Sequence, residues 1–143
     1  MTLLDADDRW AIASILSLTG HIFDTGQLDR LEDVFSPGVV YDLTDPGLGS
    51  FEGIEVLRKA ALQLGERSPI AHHVTNIVIT DEAGDTVTVI SKGLVIGSDG
   101  KIGSVNHRDT VIRHDGQWRI SRRVITAQRG PFNAACLANA DDR

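Results

Sequence analysis

From Ile70 onward the sequence is cut at regular intervals by turn residues: Glu82-Ala83-Gly84-Asp85, then Asp99-Gly100, then Asp115-Gly116. Asp-Gly between apolar runs is strong hairpin chemistry, because both central turn positions need a positive φ. The segments between the turns, about 70–80, 85–97, 101–113 and 117–127, are rich in Val, Ile and Thr and read as strands. Long strands joined by tight turns pair antiparallel, so this half of the chain is predicted to be a meander. A meander buries one face only if something covers it, and the residues before Ile70 must supply the cover.

Those residues read as helical. Ile12, Ile15, Leu16, Thr19, Ile22 and Phe23 recur at helical spacing within a helix predicted over 5–25, with Asp5, Asp7 and Asp8 at its start. Gln27 to Phe35 reads as a second, short helix closed by Ser36-Pro37-Gly38. Val39 to Leu43 reads as a short strand, and Thr44 to Ser50 as a loop. A third helix is expected over 53–65, with Glu55 placed to pair with Lys59. Three helices followed by a mainly antiparallel sheet make an α+β domain over 1–130, with 131–143 as a C-terminal tail.

The totals exclude several function classes. A formal charge of −6 and a pI near 5.2 argue against nucleic-acid or acidic-membrane partners. The one cysteine, Cys136, permits no disulfide framework and suits a reducing cytosol. The N-terminus has no basic segment followed by an apolar run, so no signal peptide is expected, and a cytoplasmic location follows. No stretch approaches the roughly 20 apolar residues of a membrane span.

Two features ask for a chemical explanation. His72 and His73 are adjacent where a strand begins, and alternation sends their side chains to opposite faces. Asp24 ends the first helix, where a carboxylate opposes the helix dipole. An Asp–His pair is a sound general base: the carboxylate fixes the tautomer, and the free imidazole nitrogen takes the proton. Metal chemistry has less support. His72, His107, Asp24 and Asp109 could ligate an ion, but no compact ligand motif occurs. A Gly-rich phosphate loop and a Gly-x-Ser-x-Gly elbow are also lacking, and Cys136 has no activating neighbours, so no cofactor is expected.

Several segments together resemble the SnoaL-like branch of the nuclear transport factor 2 superfamily. They are Phe23-Asp24-Thr25-Gly26-Gln27-Leu28-Asp29, Leu31-Glu32-Asp33-Val34-Phe35-Ser36-Pro37, His72-His73-Val74-Thr75-Asn76, Asp109-Thr110-Val111-Ile112-Arg113 and Gly116-Gln117-Trp118-Arg119-Ile120. The resemblance implies a cone-shaped curved sheet that encloses an apolar pocket with its helices. The family includes polyketide cyclases, scytalone dehydratase and a hexachlorocyclohexane dehydrochlorinase. By that resemblance Asp24 and His72 are the catalytic pair, the spacing to Asn76 choosing His72 over His73. Phe23 stands where scytalone dehydratase has tyrosine, and apolar Leu94-Val95-Ile96-Gly97 stands where its second histidine is expected.

His107, on a strand face with Asp109 and Val111, is a candidate second acid or hydrogen-bond donor. Tyr41, His73, Asn76, Trp118, Arg122 and Arg123 are candidate substrate contacts, with at most one of the two arginines facing the cavity. The expected activity is a cofactor-independent elimination, isomerisation or cyclisation of a small, apolar, oxygenated polyketide-, terpenoid- or aromatic-like molecule. The alternatives are a non-catalytic small-molecule binder and an assembly subunit of the same fold. A homodimer or homotrimer is expected from the resemblance and from the apolar runs Val87–Ile90 and Gly93–Ile96.

Overall fold

The computed structural model describes residues 4–130, so the expected tail with Cys136 lies outside the described residues. Helix α1 spans Ala6–Asp24. Asp5 accepts the Asp8 N–H at 2.8 Å, and the Asp8 carboxylate accepts the Asp5 N–H at 3.2 Å. This reciprocal cap satisfies backbone donors that the first turn leaves open. The stripe Ile12, Ile15, Leu16, Thr19 and Ile22 is buried, as its spacing requires.

The second helix is shorter than its pattern suggests. It is a 3-10 helix, Leu28–Asp33, and Phe35 already begins strand β1, Phe35–Leu43. Ser36-Pro37-Gly38 lies inside that strand, at a break in its register between Phe35 and Val40, where proline meets no ladder partner. The expected loop after β1 also holds a strand, β2, Gly49–Glu52, paired antiparallel with β1. Helix α2 follows at Ile54–Leu64. There Glu55 pairs with Arg58 rather than Lys59, and Arg58 reaches on to Glu32 at 2.5 Å and to the Leu28 carbonyl at 2.9 Å. One guanidinium thus ties α2 to the 3-10 helix.

The four long strands are β3 (Ala71–Ala83), β4 (Thr86–Ile96), β5 (Ile102–His114) and β6 (Gln117–Ala127). The sheet order is β2-β1-β6-β5-β4-β3, and only β1 against β6 is parallel. The sheet is curled but unclosed, and α1 lies across its inner face. Val87, Val89, Val111, Trp118 and Ile120 meet the stripe of α1 there, with Ile54 and Leu57 of α2.

Two irregularities decide which side chains face inward. In β3 the register shifts between Thr75 and Val78, and Asn76 has a φ of 54°. In β6 an extra residue, Ser121, separates Ile120, opposite Val111, from Arg122, opposite Thr110. Strict alternation from Trp118 and Ile120 would turn Arg122 inward. The bulge sends Arg123 inward instead, and Arg122 is exposed. Among the described residues, no helix is long and apolar enough to cross a membrane.

Candidate functional site

The site begins where α1 ends against the start of β3. Gly20 lies so close to β3 that a methyl group there would overlap the His72 carbonyl oxygen. Asp24 is one turn further along the same helix face. Its Oδ1 is 2.7 Å from His72 Nδ1, and its Oδ2 accepts the His72 backbone N–H at 3.0 Å. Both carboxylate oxygens therefore hold one residue, offsetting the cost of an acid at a helix C-terminus. With Nδ1–H donating to Asp24, Nε2 keeps its lone pair and is the basic atom. The His72 and Asp24 side chains are 29% and 24% exposed, so the pair is reachable from solvent.

Aromatic rings back the histidine. Phe23 lies 5.9 Å from the His72 ring and 6.2 Å from Tyr41, and Phe35 meets Tyr41 edge-on at 5.8 Å. Burial raises the pKa of the Tyr41 hydroxyl, and the nearby Arg123 charge works against that rise.

Deeper in, Arg123 and Asp109 form a bidentate pair at 2.8 and 2.9 Å, with side chains 2% and 0% exposed. Arg123 also donates to Thr19 Oγ1 at 3.3 Å. Burial works against the guanidinium charge, but the Asp109 carboxylate more than offsets it and raises the Arg123 pKa. Arg123 thus donates to Asp109 and Thr19, and the expected role of gripping substrate gives way to one of bracing the interior.

His107 is buried on the inner face of β5, with Nδ1 3.1 Å from Ser91 Oγ. Its ring lies over Gly93, where a Cβ would come within 2.9 Å of Cε1. Burial first, then Arg123 and His72, push its pKa down to about 2. The imidazole is therefore neutral at ordinary pH. Of the two roles expected for His107, second acid or hydrogen-bond donor, a neutral ring suits the donor.

Four expected contacts lie elsewhere. His73 is exposed on the outer sheet face, paired with Leu94, while His72 faces inward. Asn76 sits on the β3 bulge and lines the outer face. Trp118 closes the opposite end of the interior, its Nε1 donating to Asp8 at 3.1 Å under the Arg113 guanidinium. Arg122 faces outward near Asp42 at 3.7 Å. Thr19, Gly20, Ser91 and Gly93 join the site without having stood out in the sequence. A glycine inside a helical stripe was the one available signal, since it costs about 1 kcal/mol against alanine. Among the described residues, no three His, Cys, Asp or Glu side chains converge as a metal site would need.

Comparison with known proteins adds the following. A family model described as a SnoaL-like domain matches residues 5–124. A scytalone dehydratase-like protein from Novosphingobium aromaticivorans is similar at 22% identity over 89% of each chain, with a TM-score of 0.73. A hexachlorocyclohexane dehydrochlorinase, type 2, is similar at 22% identity over 90% of each chain, with a TM-score of 0.72. An NTF2-like protein with a cystatin-like fold, also from Novosphingobium aromaticivorans, has 24% identity over 92% of this chain and 88% of that one, with a TM-score of 0.74. At these identities the likeness establishes the fold. No curated protein sequence matches the chain.

Proposed function

Because this chain belongs to the SnoaL-like domain family, whose fold it has, we propose that it is a cofactor-independent enzyme built on Asp24 and His72. His72 Nε2 takes a proton next to a carbonyl or another acidifying group, and Asp24 orients the ring and supports the imidazolium that forms. His107 offers a neutral hydrogen bond to the developing oxyanion. Elimination, isomerisation or ring closure follows, on a small and mainly apolar oxygenated molecule. Two similar structures bear the names of a dehydratase and a dehydrochlorinase, both eliminations, and this favours elimination among the three.

The observation that carries this reading is the two-point hold of Asp24 on His72. A side chain needed only for packing does not require its tautomer fixed. Long-range proton–nitrogen NMR reads that tautomer. The expected result is an Nδ1-protonated His72 in the wild type, and loss of that preference in Asp24→Ala. An Nε2-protonated ring in the wild type would leave no basic atom facing a substrate.

A second reading has its own support. Arg123, Asp109 and three aromatic rings fill much of the interior beneath the pair, which suits a binding or assembly module. A panel of small cyclic β-hydroxy and β-chloro carbonyl compounds separates the two. Turnover of any member supports the enzyme, and saturable binding without turnover supports the module.

A further inference from the structure

Ser91 and His107 are directly opposite each other on β4 and β5, and both are buried, at 4% and 7% exposure. Among the described residues, the one side-chain hydrogen bond that either makes is to the other, between Ser91 Oγ and His107 Nδ1 at 3.1 Å. That exclusiveness decides which atom donates. If Nδ1–H donated to Oγ, the serine O–H would be buried with no acceptor, which is costly. If Oγ–H donates to Nδ1, the hydroxyl is satisfied. The proton of the neutral ring is then on Nε2.

Register gives the direction in which that ring lies. Gly93 is two residues beyond Ser91 on β4, opposite Val74, which shares the inner face of β3 with His72. A Cβ at Gly93 would come within 2.9 Å of His107 Cε1 and 3.2 Å of Nε2. The imidazole therefore reaches from Ser91 to above Gly93, with its Nε2 edge toward the His72 end of the sheet. A side chain at Gly93 would close that slot. His107 Nε2 makes no hydrogen bond. Among the described residues no fully buried side-chain nitrogen or oxygen lacks a partner, so this atom is not sealed in.

We propose that Ser91 is a positioning residue: its hydroxyl fixes His107 with the proton on Nε2 and aims that N–H at a substrate oxygen held beside His72. Opposite partners then set the two histidines to opposite tautomers. The Asp24 carboxylate leaves His72 a lone pair on Nε2, and the Ser91 hydroxyl leaves His107 a proton there. A base beside a neutral donor suits a substrate whose acidic C–H adjoins a carbonyl. The effect on turnover rests on the proposed Asp24–His72 chemistry, whereas the tautomer of His107 does not.

Long-range proton–nitrogen NMR of the full chain at neutral pH reads both rings. His107 is expected to be protonated on Nε2 in the wild type and in Ser91→Thr, which keeps the hydroxyl, and to lose that preference in Ser91→Ala. The His72 signal should stay the same in both variants, which separates the effect from unfolding and from the Asp24–His72 pair. Turnover is then measured on a cyclic β-hydroxy ketone that the wild type converts. Losing an oxyanion donor outright costs about 10²–10³ in kcat, so misaiming this one in Ser91→Ala should cost about tenfold at nearly constant KM. Ser91→Thr should restore the rate. Protonation of His107 on Nδ1 in the wild type would overturn the proposal, as would Ser91→Ala with the tautomer or kcat unchanged. Full activity in His72→Ala, with His107 still protonated on Nε2, would count against the base and not against the hold of Ser91 on the ring.

Discussion

At Gly20 the α1 backbone comes within contact of β3, and this approach brings Asp24 onto His72 one turn later. In an ordinary helix interior, Gly→Ala stabilises by about 1 kcal/mol. Here the methyl group meets a backbone carbonyl that has no rotamer to escape into. Gly20→Ala is therefore expected to destabilise by about 1–3 kcal/mol and to loosen the pair. Urea unfolding and the His72 tautomer signal check both parts; a more stable variant with the pair intact would contradict the packing argument. The pairing of Asp24 with His72 was legible because each residue was chemically out of place, an acid at a helix C-terminus and a histidine at a strand start. The sidedness of Asn76 and Arg122 was not, because single-residue bulges move a side chain to the other face without any hydrophobic signature.

Among the elements, the long strands were legible because Asp-Gly turns mark their ends, and Asp115 and Gly116 do have φ of 50° and 76°. Strand β2 was not, because four residues after Pro46 and Gly47 carry too little pattern to oppose their turn chemistry. The pairing of β4 with β5 has a measurable consequence through His107, which lies opposite Ser91. Folded, its imidazole stays neutral down to about pH 2, whereas unfolded it takes a proton near 6.5. Between those values the unfolded state binds the extra proton, so stability falls as pH falls. The loss is at most about 1.4 kcal/mol per pH unit. His107→Asn should flatten the dependence of unfolding free energy on pH between 6 and 4. Urea titrations of both proteins across that range check it, and parallel curves would place His107 in solvent contact instead.

Across the whole molecule, one buried ion pair joins the layers: Arg123 on β6 meets Asp109 on β5, Thr19 on α1 and Tyr41 on β1. Removing one partner leaves an uncompensated buried charge, so Asp109→Asn should cost about 3–5 kcal/mol. The double variant Asp109→Leu/Arg123→Met should recover much of that, and chemical denaturation of the two measures it. The helix-then-meander order made the architecture readable, since a meander with one apolar face needs a cover. The substrate was not readable, because the residues that shape the interior come from six separate elements, α1, β1, β3, β4, β5 and β6, and share no sequence pattern. The central claim concerns which histidine does chemistry, and alternation supplies its control: His72 faces the interior and His73 the outer surface. The decisive measurement is kcat and Kd, side by side, for His72→Ala and His73→Ala on a compound that the wild type turns over. The account predicts that His72→Ala loses about 10²–10⁴ in kcat with little change in Kd, while His73→Ala matches the wild type. Full activity in His72→Ala would contradict it.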